Sequence, residues 1–278
     1  MPGASPMSSP SQIPVGVDPS RPSIARVYDA FLGGKDNYEV DREMQRKVLS
    51  AVPEAAVIAL GNRRFLNRAL RFLATQTDVN QFIDCGSGLP TAENTHQIVQ
   101  RTNREAKVVY VDNDPVVLAH GRALLVENEN THLIEADIFR PRAVLDDETV
   151  RRHIDFTEPV ALIQNGTFHH LEGDGGPALM REYIDALPPG SYVVFSHFLD
   201  PEIPELTELG KRIEQVLVKS PMGAGRFRTR AQITEMLPGL ELVPPGLSVA
   251  DEWWSDGPAL KPVAPAARCI AGAVGRKP

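Results

Sequence analysis

The chain has 278 residues, 42% of them hydrophobic, enough to bury a full core in one large domain or two small ones. A net charge of −7 and a sequence pI near 5.5 would repel a phosphate backbone, which disfavours nucleic acid as a partner. Two cysteines, Cys85 and Cys269, lack any CxxC or Cys/His spacing, so neither a disulfide framework nor a metal site is expected, and a reducing cytoplasm fits.

Residues 1–22 are rich in Pro and Ser but have no basic n-region and no apolar h-region, so they read as a disordered tail and not a secretory signal. No run approaches the ~20 apolar residues of a membrane helix, so no membrane partner is expected and the protein should be soluble. Residues 23–77 predict a helical cap. Ile24, Val27, Tyr28 and Phe31 recur at three or four, as do Phe65, Leu66, Ala69, Leu70 and Leu73. Gly33-Gly34 and Pro53 break the pattern into three or four short helices. Arg63, Arg64, Arg68 and Arg71 read as the wet face of one of them.

Residues 78–278 change character. Short apolar runs at Gln81–Cys85, Val108–Val111, Thr131–Glu135, Val160–Gln164 and Tyr192–His197 alternate with amphipathic helices, which implies a parallel sheet covered on both faces. A helical stretch from Pro204 to Leu237 follows, broken near Pro221-Met222-Gly223. Leu240–Val243 and Cys269–Val274 are expected as an edge hairpin, flanking a loop in which Trp253-Trp254 either covers a pocket or packs the edge. The expected fold class is α/β: a Rossmann-like, seven-stranded, mostly parallel sheet with an N-terminal helical cap.

The strongest local signal is Phe82-Ile83-Asp84-Cys85-Gly86-Ser87-Gly88-Leu89-Pro90-Thr91, a strand running into a glycine turn and then a helix from about Ala92. On its own GxG could be an ordinary strand-to-helix turn. The next strand, however, ends Val111-Asp112-Asn113-Asp114, about 20 residues or slightly more past the loop, where a carboxylate can accept from both ribose hydroxyls. Asp112 is the expected ribose ligand with Asn113 beside it, and Asp114 is an N-cap before Pro115. Nicotinamide enzymes share these features, but their third small residue is here Thr91, and Asp84 would oppose a pyrophosphate. A third strand ends Glu135-Ala136-Asp137-Ile138, where Asp137 can accept from an adenine amino group and Ile138 can pack on the ring. Carboxylates at three successive strand ends favour a cationic adenosyl ligand, S-adenosylmethionine (SAM), with Asp84, Gly86 and Gly88 at its methionine end.

The fourth strand leads into Gln164-Asn165-Gly166-Thr167-Phe168-His169-His170-Leu171. His169 and His170 are candidate catalytic bases, with a structural hydrogen-bonding role as the alternative, and adjacent His alone does not indicate a metal. Arg226-Phe227-Arg228-Thr229-Arg230 reads as a solvated loop or helix start, or else as a grip on an acidic substrate. The turn Gly33–Tyr38 holds two glycines with polar groups able to reach a ligand, so Tyr28, Gly34, Lys35 and Asn37 are expected to touch bound cofactor as part of a lid, the alternative being a plain helical decoration.

These strings, together with Ala25–Tyr38, Val109–Val117 and Phe168–Leu171, resemble an actinobacterial group of SAM-dependent methyltransferases first catalogued as a domain of unknown function. The resemblance covers nearly the whole chain after the tail and implies the methyltransferase fold and SAM binding. Cys85, in place of an aliphatic residue, and the polar Gln164–Phe168 segment depart from that group's pattern. The expected reaction is methyl transfer to an unidentified, small-molecule acceptor. The alternatives are a non-catalytic SAM-binding sensor or assembly protein, and an NAD(P)-dependent oxidoreductase.

Overall fold

Five parallel strands carry the frame: β1 (Gln81–Cys85), β2 (Lys107–Asp112), β3 (Thr131–Glu135), β4 (Ala161–Asn165) and β5 (Tyr192–Asp200). Along them, side chains alternate between two hydrophobic clusters. Phe82, Val108, Ile163 and Val194 belong to one, and Ile83, Val109, Leu162, Val193 and Phe195 to the other. Successive strand side chains point to opposite faces, so both faces of this sheet are buried, which is why the strands read as near-continuous apolar runs. The computed structural model describes residues 16–90, 93–124, 128–223, 225–255, 257 and 263–278.

The order β3-β2-β1-β4-β5 continues into two antiparallel neighbours, β9 (Ile270–Arg276) and then β7 (Glu241–Leu242). Two further pieces, β6 (Arg228–Thr229) against β5 and β8 (Ser248–Val249) against β9, raise the count among the described residues to nine from the expected seven. Each is two residues long, too short to leave a periodic apolar pattern.

Ahead of the sheet lie α1 (Ile24–Phe31), α2 (Glu39–Ala51) and α3 (Ala55–Gln76). At 22 residues α3 is not the short helix expected. Gly33 turns the chain after α1 at φ +75°, and Pro53 separates α2 from α3. Asp41, in the first turn of α2, accepts from Ser23 N and Tyr38 N and forms a buried ion pair with Arg26 at 2.8 Å, so the start of each helix fixes the other. The apolar face of α3 lies on the sheet. A Cβ at Gly272 of β9 would sit 2.6 Å from the Phe65 ring, so glycine is what lets the helix approach.

The arginine row of α3 is not wet throughout: Arg64 is exposed and Arg63 and Arg71 partly so, but Arg68 is not. Arg68 is buried, and donates through Nε to Trp253 O (2.9 Å) and through Nη2 to Ala250 O (2.5 Å), while Arg64 pairs with Asp251 at 2.7 Å. Helical periodicity marks which residues share a stripe but not what packs over them, and here the loop carrying Trp253 does. Trp253 itself is fully buried, edge-on to Phe65 and Phe72, so it is core packing and not a pocket cover.

The remaining helices are α4 (Thr95–Gln100), α5 (Pro115–Leu124), α6 (Pro141–Leu145), α7 (Glu148–His153), α8 (Gly176–Ala186), α9 (Pro204–Val218) and α10 (Arg230–Thr234). Thr91 and Ala92, where a helix was expected to begin, lie outside the described residues; α4 starts at Thr95 with Asn94 as its cap. Of the expected tail, residues 1–15 lie outside the described residues, whereas Val17 packs on Leu89, Val116 and Val117, and Arg21 O accepts from Arg26. The tail expectation is corrected for residues 16–22. No helix of the described residues is long and apolar enough to cross a membrane.

Candidate functional site

Strand order reverses between β1 and β4, and in open parallel sheets the crevice outside the carboxyl ends at such a point receives ligands. Gly86 follows β1 at φ +68°. A Cβ there would lie 2.5 Å from Thr167 Cγ2 and 3.3 Å from Ile138 Cδ1, so the turns after β1, β3 and β4 converge on this glycine. Gly88 sits at φ +66°, and among the described residues nothing lies within 4 Å of its would-be Cβ. A cavity of about 260 Å³ lined by Gln81, Lys107, Asp155 and Glu158 lies at the opposite end of the strands, away from these turns.

Three carboxylates lie at or just past the carboxyl ends of β1, β2 and β3. Asp84, on β1, is buried and accepts from Thr95 Oγ1 at 2.6 Å; burial raises its pKa to about 6, against the pull of Thr95 and of the Arg63 charge. Asp112, at the tip of β2, accepts from Gly88 N (2.9 Å), Asn113 N (2.9 Å) and Asp114 N (3.0 Å), and burial pushes its pKa up despite these bonds. Asp137 accepts from Phe139 N at 2.9 Å through one oxygen. Asn113 is exposed beside Asp112.

The glycine loop uses its own amides internally. Gly86 N and Ser87 N both donate to Val111 O (2.8 and 3.2 Å), and Gly88 N goes to Asp112. A pyrophosphate needs such amides, or a helix N-terminus, turned toward it. The carboxylates at these strand ends are acceptors, which suits a cationic ligand that donates from hydroxyl and amino groups and not a pyrophosphate.

The N-terminal helices reach the same edge. Tyr28 Oη donates to Ala59 O (3.2 Å) and accepts from Asn62 Nδ2 (3.1 Å). Ser196 Oγ on β5 lies 2.6 Å from Asn62 Oδ1 and 2.9 Å from Asn165 Oδ1, its single proton serving one of them. Tyr38 packs on Leu89, Val116 and Val117. In the turn itself, Gly34 is required because a Cβ would fall 1.9 Å from Asp29 Oδ1, and Asn37 Nδ2 donates to Asp29 Oδ2 (2.7 Å) and Gly34 O (3.0 Å) while its Oδ1 accepts from Arg42. Asn37 is therefore committed within the turn; Gly34 and Lys35 are exposed.

After β4, His169 is buried and stacked on Phe198 at 3.6 Å, and among the described residues nothing bonds its Nδ1. Burial, with His170, His197 and Arg228 nearby, holds its pKa well below the usual imidazole value, so it is neutral at pH 7. His170 is partly exposed, its ring 4.4 Å from that of His169. Arg228 is not part of a solvated loop. It is buried and donates to Gly173 O (2.9 Å) and His197 Nε2 (2.9 Å), and His197 Nδ1 donates to Phe198 O (2.7 Å). Arg226 and Arg230 on either side are exposed.

Asn62, Ser196 and His197 escaped sequence reasoning as site residues. Asn62 and Ser196 are small polar residues within apolar patterns, and a polar residue on a buried face is the signal that could have marked them.

A protein-family model described as S-adenosyl methyltransferase matches residues 10–278. Among solved structures, a candidate methyltransferase from Thermobifida fusca is 40% identical, with a TM-score of 0.88 over 93% of this chain and 96% of that one. A DUF574 family protein from Streptomyces avermitilis is 35% identical, with a TM-score of 0.86 over 93% and 98%. No curated protein matches the chain.

Proposed function

The chain belongs to the S-adenosyl methyltransferase family and is a SAM-dependent methyltransferase, and from that premise we propose that it methylates a small-molecule acceptor, using a cofactor site made by the turns after β1, β2 and β3. The observation that carries the site is the glycine loop whose amides are spent internally, with a carboxylate at or just past the carboxyl end of each of β1, β2 and β3. Asp84 would hold the ammonium, Asp112 the ribose hydroxyls, and Asp137 with Ile138 the adenine. Gly86 and Gly88 keep the backbone side of the cradle free of side chains. Bound SAM supplies a methyl group on a sulfonium, electrophilic toward O, N or C nucleophiles.

The protein's own contribution is alignment and exclusion of water. Tyr28, Asn62, Ser196 and Asn165 form a connected polar network beside the cradle that can orient an acceptor. His169, neutral at pH 7, can take a proton from it at Nδ1, with His170 adjacent. Net negative charge supports a small acceptor over a nucleic acid.

The test is transfer of tritium from methyl-labelled SAM into fractions of a cell extract. Label in a small-molecule fraction supports the reading. Label confined to RNA, DNA or protein overturns the acceptor class, and SAM binding without transfer to any fraction favours a sensor. Binding of NAD in preference to SAM would point to an oxidoreductase.

A further inference from the structure

SAM ends in an amino acid, so a complete site needs a partner for a carboxylate as well as for an ammonium. Asp84 serves only the second. Four arginines lie on α3, Arg63, Arg64, Arg68 and Arg71; Arg64 pairs with Asp251 and Arg68 donates to the carbonyls of Trp253 and Ala250. Arg63 is bonded toward the Asp84 side of the sheet. It follows Asn62, the residue that joins the network at the ends of β4 and β5. Its guanidinium donates to Glu93 O, two residues before Thr95, whose hydroxyl donates to Asp84. Its charge is felt by Asp84, Tyr28 and Tyr110, groups on β1, α1 and β2.

Resting on the SAM reading above, we propose that Arg63 is a cofactor-binding residue that receives the methionine carboxylate of SAM, opposite Asp84, so that α3 completes the site built by the sheet. A guanidinium suits this role because its planar fork matches a carboxylate in a bidentate way. Asp84 and Arg63 then form a charge pair complementary to a zwitterion, with Asp84 anchored by Thr95 and Arg63 by the Glu93 carbonyl. The N-terminal helices thereby become part of the cofactor site, which a decoration of the sheet would not be.

The test compares two ligands on the full chain by calorimetry. S-adenosylhomocysteine carries the amino-acid end, whereas 5′-methylthioadenosine has the same adenine, ribose and sulfur without it. Arg63→Gln should weaken S-adenosylhomocysteine by about tenfold or more, the range of a charge-assisted bond, and leave methylthioadenosine within about twofold. Arg63→Lys should recover part of the loss, because it restores the charge without the fork. Equal weakening of both ligands would make Arg63 a structural residue, and no weakening of either would remove it from the site; both outcomes overturn the proposal. Wild-type protein that binds neither ligand would overturn the SAM reading itself.

Discussion

Asp84 provides the sharpest test of the charge logic. Burial raises its pKa to about 6, while Arg63 and Thr95 hold it down and Asp112 pushes it up; the Tyr110 and Cys85 side chains also face its charge. A folded pKa above the unfolded value of 3.8 means the protonated form fits the fold better. The stability that Asp84 contributes is therefore fully present below about pH 3.8 and is lost as pH rises through about 6, roughly 3 kcal/mol over that shift. An ammonium bound beside the ionised carboxylate offsets this cost, so ligand binding is linked to loss of the Asp84 proton. At pH 5 only about a tenth of Asp84 is ionised and at pH 7 about nine-tenths, so affinity for S-adenosylhomocysteine should rise nearly tenfold between them and then level off. Calorimetric titrations at pH 5, 6, 7 and 8 would measure it. Asp84→Asn should bind weakly with a flatter profile, and methylthioadenosine, which lacks the ammonium, should lose most of the dependence. A pH-independent wild type, or an unchanged slope in Asp84→Asn, would refute the linkage.

Asp112→Ala should weaken SAM by about 1.5–3 kcal/mol, and because Asp112 also holds the amides of Gly88, Asn113 and Asp114 it should lower the melting temperature; calorimetry with and without ligand separates the two effects. Arg68→Met leaves the Trp253 and Ala250 carbonyls without their buried donor and should cost about 2–4 kcal/mol in urea unfolding, with the ligand affinity of the remaining folded protein little changed. If the N-terminal helices close the cofactor site, saturating SAM should slow hydrogen exchange at the amides of residues 24–38; equal rates with and without SAM would make the segment purely structural.

The sheet was legible because its strands are buried on both faces. β1 and β3 fall on Gln81–Cys85 and Thr131–Glu135 as read from the apolar runs, and Asp84, Asp112 and Asp137 lie at or just past the carboxyl ends of β1, β2 and β3. What stayed hidden depends on contacts distant in sequence. Arg68 is buried by a loop more than 180 residues away, and Arg228 by the turn after β4, so a charged residue on a helix or in a basic stretch reads as solvated until its partner is known. The paired glycines Gly33 and Gly34 suggested a ligand contact, but local geometry accounts for both: one adopts positive φ, and the other makes room for the Asp29 carboxylate. Asn37 likewise spends its amide within that turn. The strands β6 and β8 are held by their neighbours in the sheet, and two residues cannot display a period.

The most direct measurement of the whole account is a crystal structure with S-adenosylhomocysteine bound. The account predicts the ribose hydroxyls on Asp112, the adenine against Ile138 with its amino group toward Asp137, and the amino-acid end between Asp84 and Arg63, with the sulfur facing His169 and the Tyr28–Asn62–Ser196 network. Ligand density at the amino end of the strands, or an adenosyl group that leaves Asp112 and Asp137 untouched, would contradict it.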